Sequence, residues 1–341
     1  SDGDTLMTVA VGNNGDRDRE LGYNRVQVPS DCVNALAVGA ADDTDAGWAR
    51  APYSAIGPGR SPGVIKPDLM AFGGNPAAKY FHVLAPNVKP VLTPQLGTSF
   101  AAPYLLRSAV GVRAILGGDL TPLAIKALLV HAADPGEHDP VEVGWGKIPE
   151  DTLDIITCPD GVARVVYQGE LKPSKYLRAS LPLPKEGLLG NVRLKATFCY
   201  ASPTDPQDAA AYTKAGLEVV FRPNDEKIKD GKSNADTKGF FDLKKFATEQ
   251  ERRSDQGKWE TVLHGAKTFR GSSLKNPVFD IHYNARDGGG RATTGAEKIR
   301  YALILSVEAP KHADLYNDIL RAYAKTLVPI QPQVSLPIRI R

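Results

Sequence analysis

The 341-residue chain is short of cysteine, the residue that forms disulfides and holds many metal ions. It has three cysteines, Cys32, Cys158 and Cys199. This odd and sparse set argues against a disulfide scaffold and favours the reducing cytoplasm as the location, with secretion left open. The thiols match no metal-ligand spacing, so we expect no cofactor, and nothing in the sequence indicates a structural calcium ion.

The chain also lacks long apolar runs and a strong charge of either sign. No run approaches the ~20 apolar residues of a membrane span. A net charge of +3 is too small to indicate nucleic acid or an anionic lipid surface as a partner. Because 42% of the residues are apolar and the length suggests about two domains, we expect a folded protein that binds neither nucleic acid nor membranes.

The most informative stretch is Gly97–Pro103, which reads Gly-Thr-Ser-Phe-Ala-Ala-Pro. It leads into Tyr104–Leu116, whose apolar residues recur at helical spacing and which is followed by two glycines. Ser99 is therefore predicted in the first turn of a helix, where free backbone N–H groups and the positive end of the helix dipole favour a developing anion. A hydroxyl presented there can attack a carbonyl, whereas the alternative is a serine that only caps the helix.

A second motif precedes the serine. Thr5–Gly15 (TLMTVAVGNNG) has the β-branched, apolar character of a strand that ends in a turn. Together the two motifs resemble the subtilisin-like serine peptidases, in which Ser99 matches the nucleophile and Asn13 the oxyanion-hole asparagine. The resemblance implies a polypeptide substrate, an acyl-enzyme on Ser99, and an oxyanion hole formed by the Asn13 side-chain amide and the Ser99 backbone N–H. Taken alone, Asn13 would be an ordinary turn residue.

Other segments follow the order of the same family, so the resemblance covers about the first 150 residues. These segments are Asn34–Asp42, 54–58, Lys66–Gly74, a predicted amphipathic helix over Leu120–Ala133, and the Gly-Trp-Gly turn at 144–146. The implied fold is α/β, with residues 1–150 forming the C-terminal half of a subtilisin-like three-layer domain around a parallel sheet. The start of the chain then corresponds to the middle of a catalytic domain rather than to a signal peptide.

The general base of such a site is missing from the motifs. A subtilisin-like triad needs an aspartate and a histidine that precede Asn13, and the residues before it hold no histidine and only Asp2 and Asp4, which lie in no motif. The resemblance therefore implies that both groups come from an upstream part of the same catalytic domain or from a partner chain, and that this chain alone is inactive. His264-Gly265 is similar to a His-Gly pair of this family. However, it lies in a segment whose apolar and polar residues alternate as in a strand, so His264 is expected to be an ordinary sheet residue. The remaining histidines are expected to be surface or structural groups: His82, His131, His138, His282 and His312.

The resemblance also locates a specificity pocket. Ala10, Val11, Gly12 and Asn14 match the positions that floor the family's pocket for the side chain preceding the scissile bond. Small residues there would admit a sizeable apolar or neutral side chain, while the opposite wall lies upstream. The acids that follow the second strand, Asp42, Asp43 and Asp45, are expected to be solvated turn residues rather than a catalytic or calcium site.

Beyond residue 150 the pattern changes to short alternating runs separated by glycine, proline and asparagine, which predicts a mainly antiparallel β-sandwich over 151–341. The predicted strands are 161–183 (as one run), 192–200, 216–221, 259–269, 277–284, 299–308 and a closing strand 333–341. The charged stretch 223–257 reads as an insertion with a short surface helix over 240–252, and 315–327 reads as an amphipathic helix.

Three classes of function remain open at this point. The favoured one is a serine endopeptidase represented by its C-terminal part, because a degenerate site has no physical need to keep both the oxyanion donor and the nucleophile. The others are a pseudopeptidase or protein-binding module on the same scaffold, and a structural protein in which Ser99 only caps a helix. A parallel sheet without its leading strands would expose an apolar edge, so we expect this chain to be held by a partner, dimerised or incomplete.

Overall fold

The N-terminal part of the chain folds around a small parallel sheet. The computed structural model describes residues 3–60, 65–77, 79–85, 91–173, 175–207, 212–228, 231–241, 259–285 and 298–330. Strands β1, β2 and β3 lie side by side in this order and span Thr8–Ala10, Leu36–Ala41 and Leu69–Phe72. All six residues of β2 are buried, as is typical of a strand covered on both faces. The three predicted strands are confirmed, although β1 is much shorter than the predicted Thr5–Gly15.

A long helix covers this sheet. The helices of this half are α1 (Thr98–Leu116), α2 (Pro122–Ala132), α3 (Pro140–Val143) and α4 (Thr152–Ile156). Helix α1 packs against all three strands through a buried stripe at helical spacing that includes Ala101, Ala102, Leu105, Ala109 and Val112. Because the first two residues of this stripe are alanines, the beginning of the helix lies close to the sheet.

The predicted amphipathic character of helix α2 is wrong. The sequence pattern predicts an amphipathic helix, but Leu123–His131 are all buried. One side of α2 contacts α1, and another contacts the antiparallel strands that follow later in the chain. A helix enclosed in this way needs no polar face, which is why its apolar pattern is nearly continuous. Thr121 caps it by accepting a hydrogen bond from the Ala124 N–H at 3.2 Å.

A two-stranded hairpin, which the sequence pattern did not predict, follows β3 and precedes α1 in the chain. Its strands are β4 (Phe81–Ala85) and β5 (Val91–Gln95), paired antiparallel. The Phe81 ring stacks on Phe100 with the ring centroids 5.5 Å apart, and this contact fixes the hairpin to the first turn of α1. Leu84 and Leu92 are each more than half exposed, so the hairpin shows little of the one-sided burial that sequence patterns detect.

The C-terminal half contains two antiparallel sheets, as predicted. Strands β6 to β12 span Val162–Leu171, Tyr176–Ser180, Asn191–Tyr200, Ala215–Arg222, Val262–Arg270, Val278–Ala285 and Ile299–Glu308. One sheet has the order β10-β8-β12-β6 and the other β7-β11-β9. Side chains from both sheets form one core, with Phe198, Phe221, Phe279 and Leu303 among its most buried members. The predicted run 161–183 is two strands rather than one.

Several finer predictions for this half change. The charged stretch 223–257 is not a surface insertion along its whole length. Phe240 is 4% exposed and packs against Phe221 and Phe279, with ring centroids about 5 Å away. The C-terminal helix, α5, spans only Leu315–Ala322. The remainder of the predicted surface helix, 242–252, and the predicted closing strand, 333–341, lie outside the described residues.

The two halves share one core rather than meeting at a hydrated linker. Cys199, Val262 and Ile304 of the antiparallel sheet belong to the same buried cluster as α1 and α2. At the centre of this contact the buried His131 ring of α2 hydrogen-bonds Thr197 Oγ1 and Ser306 Oγ, each at 2.8 Å. Thr197 Oγ1 also bonds His264 Nδ1 at 2.7 Å. No helix among the described residues is long and apolar enough to cross a bilayer.

A buried ion pair ties the loop before β3 to β2. Lys66 and Asp68 are 2% and 3% exposed, and their charged groups are in direct contact. Asp68 Oδ2 also accepts the Ala37 N–H at 2.7 Å, and Lys66 Nζ donates to the Ala35 carbonyl at 3.0 Å. Burial lowers the pKa of Lys66, and the adjacent carboxylate opposes that shift. Each charge therefore depends on the other to remain buried.

The buried histidines predict an acid-sensitive fold. Burial, reinforced by nearby cations such as Lys195 and Arg193, lowers the pKa of His264 to about 3, and burial lowers the pKa of His131 well below its usual value. Below pH ~6.5 the unfolded chain binds protons that the folded chain excludes. The free energy of unfolding should therefore fall with decreasing pH, by up to about 1.4 kcal/mol per pH unit for each histidine. Urea unfolding of the full chain at pH 4 to 8 measures this slope.

The matched variants for that series are His131→Gln and His264→Gln, which should flatten the acid slope, and His82→Gln on the exposed strand β4, which should not. An unchanged slope in both buried-site variants would contradict the account.

The buried ion pair predicts that replacing a buried lysine lowers the free energy of unfolding much more than replacing an exposed one. Lys66→Met leaves Asp68 buried without its counter-charge and should lower the free energy of unfolding by about 3–5 kcal/mol. Lys79→Met, which removes a surface pair with Asp43, should leave stability unchanged within error. Chemical denaturation of the two variants measures the difference, and equal effects would show that the buried pair carries no special stability.

Candidate functional site

Ser99 is the second residue of α1 and its side chain is exposed. The N-cap is Gly97, whose backbone has φ 144° and which has no side chain to cap the helix. The reading of Ser99 as a simple helix cap is therefore wrong. The first backbone N–H groups of a helix have no partner within the helix. The Thr98 N–H is bound to Asn13, as described next, and the Phe100 N–H bonds the Gly97 carbonyl, whereas the Ser99 N–H has no acceptor among the described residues.

Asn13 lies at the end of β1, and its orientation is set by Thr98. Asn13 Oδ1 accepts from both the Thr98 N–H and the Thr98 Oγ1 hydroxyl, each at 2.9 Å. Because a backbone N–H can only donate, the oxygen of the amide must face Thr98, and Nδ2 is a donor without an acceptor among the described residues. Nδ2 lies 3.3 Å from the position that a Cβ on Gly97 would occupy. The glycine leaves room for this amide beside the turn formed by Gly97, Thr98 and Ser99.

Tyr53 holds the other side of the turn. Its hydroxyl accepts the Gly97 N–H at 3.1 Å and donates to the carbonyls of Gly73 and Gly74, at 3.0 and 2.6 Å. Burial raises the pKa of Tyr53 to about 12, so the phenol keeps its proton at neutral pH. The loop after β3 and the turn before α1 are thus connected through this hydroxyl as well as through a direct bond from the Gly97 N–H to the Gly73 carbonyl at 3.0 Å. Sequence reasoning placed this residue in no site, because its partners are all backbone atoms.

A pocket of about 420 Å³ opens next to Ser99. The residues that line it are Ala10, Gly12, Asn13, Asn14, Arg17, Gln27, Thr98 and Ser99. Three of the four predicted pocket residues are among them. The side chain of Val11 is not, because strand side chains alternate and Val11 points into the core against Ala37 and Ala55. Arg17 and Gln27 were missed, since they lie in a loop that gave no motif.

No histidine acts on Ser99 within this sequence. All six histidines fall in the described ranges, and none hydrogen-bonds the Ser99 hydroxyl. His131 and His264 are enclosed between α2 and the sheet, His138 bonds the Trp48 carbonyl, and His282 stacks on Tyr176. The expected structural role of His264 is confirmed, because it lies in β10 and bonds Thr197.

The acids that follow β2 make local contacts. Asp43 and Asp45 both pair with Lys79, at 2.7 and 3.2 Å, and Asp42 accepts the Ala49 N–H at 2.7 Å. The hydrogen bond from Lys79 is the main cause that lowers the pKa of Asp43 to about 2. Within the described ranges, no cluster of three or more histidines, cysteines or acids has the arrangement of a metal site.

A serine in the first turn of a helix, beside an asparagine whose amide nitrogen has no acceptor among the described residues, can supply the nucleophile and an oxyanion donor of a serine hydrolase. Residues 1–146 match the model of the subtilase family, Peptidase_S8. The resemblance seen in the sequence motifs is thereby confirmed for this part of the chain. No curated protein matches the chain.

Solved structures that resemble the chain include three proteases. The epidermin leader peptide processing serine protease EpiP from Staphylococcus aureus is 18% identical with a TM-score of 0.33, covering 44% of this chain and 40% of that chain. MycP1 from Mycobacterium smegmatis is 24% identical with a TM-score of 0.32, covering 46% and 42%. The protease domain of PatA is 22% identical with a TM-score of 0.34, covering 45% and 47%. The chain thus spans less than half the length of these structures.

The contacts of Tyr53 predict that its hydroxyl protects the Gly97 amide, in the turn before α1, from exchange. Tyr53→Phe removes a hydroxyl that bonds Gly97 and the carbonyls after β3, so we expect a loss of about 1 kcal/mol of stability and faster amide exchange at Gly97. Hydrogen–deuterium exchange followed by NMR measures the second effect. Tyr23→Phe is the control, because Tyr23 is 61% exposed, and exchange at Gly97 that is equal in both variants would refute the role of the hydroxyl.

Proposed function

We propose that the chain is part of a serine endopeptidase that cleaves polypeptides through an acyl-enzyme on Ser99. The observation that carries this proposal is the orientation of Asn13, whose Oδ1 is occupied by Thr98 and whose Nδ2 is left beside the exposed serine. The subtilase-family match over residues 1–146 supports it.

In the proposed reaction, Ser99 Oγ attacks the carbonyl carbon of the scissile peptide bond. The carbonyl oxygen becomes an oxyanion and receives hydrogen bonds from the Ser99 backbone N–H and Asn13 Nδ2. These donors are held in place before the reaction, by α1 and by Thr98, so no reorganisation is needed when the charge develops. Removing one such donor lowers turnover by about 10²–10³, a magnitude that comes from subtilisin itself.

The proton of Ser99 must pass to a base and then to the leaving amine. Since none of the six histidines hydrogen-bonds the Ser99 hydroxyl, we propose that a histidine and its orienting aspartate come from polypeptide outside this sequence, either an upstream part of the same catalytic domain or a partner chain. The edge of β1 supports this, because within the described residues β1 pairs with β2 alone and its outer side is open to another strand.

The nucleophile assignment predicts a labelling pattern. A fluorophosphonate probe, which reacts with activated serines, should label this chain only when the upstream region is supplied, because Ser99 alone has no base. In-gel fluorescence of the two samples measures it. Ser99→Ala should abolish labelling, whereas Ser273→Ala, at an exposed serine of the C-terminal half, should retain it.

Failure of labelling in the completed protein would contradict a peptidase. The scaffold would then fit a pseudopeptidase or protein-binding module that kept the nucleophile turn without its chemistry.

A further inference from the structure

The pocket next to Ser99 has one charged residue in its lining. Of the eight described residues that line the pocket, seven are neutral and the other is Arg17. No aspartate or glutamate is among these eight. The small residues Ala10 and Gly12 had led us to expect a pocket for an apolar or neutral side chain. Arg17 gives this part of the pocket a positive charge instead.

The charge of Arg17 is not used within the described part of the chain. Arg17 is exposed, and its guanidinium has neither a carboxylate nor a carbonyl partner among the described residues. The two other arginines of the same loop are occupied: Arg19 pairs with Glu142 at 3.2 Å, and Arg25 donates to the Pro58 carbonyl at 2.8 Å. Because a guanidinium always carries its charge and only donates, Arg17 offers an unused cation with several N–H groups.

The loop that carries Arg17 is held at its base by one buried residue, Asn14. The Arg17 N–H donates to the Asn14 carbonyl at 3.0 Å. Asn14 is 5% exposed, and its Nδ2 donates to the carbonyls of Tyr23 and Arg25, at 2.6 and 2.9 Å. The same side chain therefore ties the end of the loop to the residue that anchors its beginning. These bonds fix the backbone of Arg17 beside the pocket.

Helix α1 adds to the positive potential of the pocket. Thr98 and Ser99 are the first two residues of this 19-residue helix, and both line the pocket, so the positive end of the helix dipole lies there. The acids of the Arg17 loop, Asp16, Asp18 and Glu20, are exposed and lie outside the lining. Charges that point into water are screened by it. The pocket is therefore suited to an anionic group.

We propose that this pocket selects an acidic side chain, that of glutamate or aspartate, in the polypeptide substrate, and that Arg17 determines the selection; the inference rests on the proposed peptidase function. The carboxylate of the substrate accepts charge-assisted hydrogen bonds from the Arg17 guanidinium. A lysine side chain meets a like charge in the same place. A glutamine side chain accepts a hydrogen bond but brings no charge, and a leucine side chain leaves the guanidinium without an acceptor.

Binding tests the proposal without requiring turnover. The full chain with its upstream region, carrying Ser99→Ala, is titrated with fluorescein-labelled, C-terminally amidated pentapeptides that differ only in the last residue, which is Glu, Asp, Gln, Lys or Leu. Fluorescence anisotropy gives the dissociation constants. The Glu or Asp peptide should bind at least ~5-fold more tightly than the Gln and Leu peptides and at least ~10-fold more tightly than the Lys peptide. Equal binding of all five, no measurable binding of any, or a preference for Gln, Leu or Lys would overturn the proposal.

Salt separates a selection by charge from one by shape. Raising the NaCl concentration from ~0.05 to ~0.5 M shortens the range of the interaction between charges. The advantage of the Glu or Asp peptide over the Gln peptide should therefore shrink, while the ratio between the Gln and Leu peptides stays constant. An acidic preference that salt leaves unchanged would contradict the role of the Arg17 charge.

A charge reversal gives a result that loss of the folded loop would not. Arg17→Gln should remove the acidic preference, and Arg17→Glu should make the Lys peptide the tightest of the five, because the lining then carries a carboxylate. A gain of binding to the Lys peptide requires an intact pocket. Arg19→Gln, at an exposed arginine of the same loop that lies outside the lining, is the matched control and should retain the acidic preference. An unchanged profile in Arg17→Glu would overturn the proposal.

The two proposals fail in different ways. If a fluorophosphonate labels Ser99 but the peptides bind without an acidic preference, the specificity is wrong and the peptidase stands. If the Glu or Asp peptide is preferred but Ser99 is not labelled, the pocket is a recognition site for acidic side chains on an inactive scaffold.

Discussion

The pair of hydrogen bonds from Thr98 to Asn13 Oδ1 is the constraint on which the site depends. It joins the end of β1 to the start of α1, two elements 85 residues apart in the chain. Because this contact uses the amide oxygen, the nitrogen has no acceptor among the described residues. In the proposed reaction, an asparagine without this contact could rotate, and its oxygen would face the developing anion.

The fold keeps both ends of this contact in place. Alanines on the buried side of α1 allow the helix to approach β1 and β2, and Tyr53 holds the turn at Gly97 from the opposite side. The ion pair of Lys66 and Asp68 anchors the neighbouring strand through the Ala37 N–H. The antiparallel half contributes as well, since α2 is enclosed between α1 and the sheet that carries Thr197 and Ser306. It supports the helical layer.

Sequence reasoning found the parts of this site that are encoded locally. Ser99 and Asn13 lie in short motifs with a defined strand or helix beside them. Five of the seven antiparallel strands, β8 to β12, are predicted to within three residues, whereas β6 and β7 were predicted as one run. The misses share a physical cause. Helix α2 is buried by a sheet formed more than 60 residues later, and Phe240 enters a core built from distant strands. Arg17 and Gln27 join the pocket only because the loop that carries them folds back over Gly12.

The most direct test of the central claim is a crystal structure of the completed protein phosphonylated at Ser99. The account predicts that one phosphoryl oxygen lies about 2.7–3.1 Å from both the Ser99 backbone nitrogen and Asn13 Nδ2, while Asn13 Oδ1 still accepts from Thr98. An adduct whose oxygens all point away from Asn13, or an Asn13 amide turned with its oxygen towards the adduct, would contradict it.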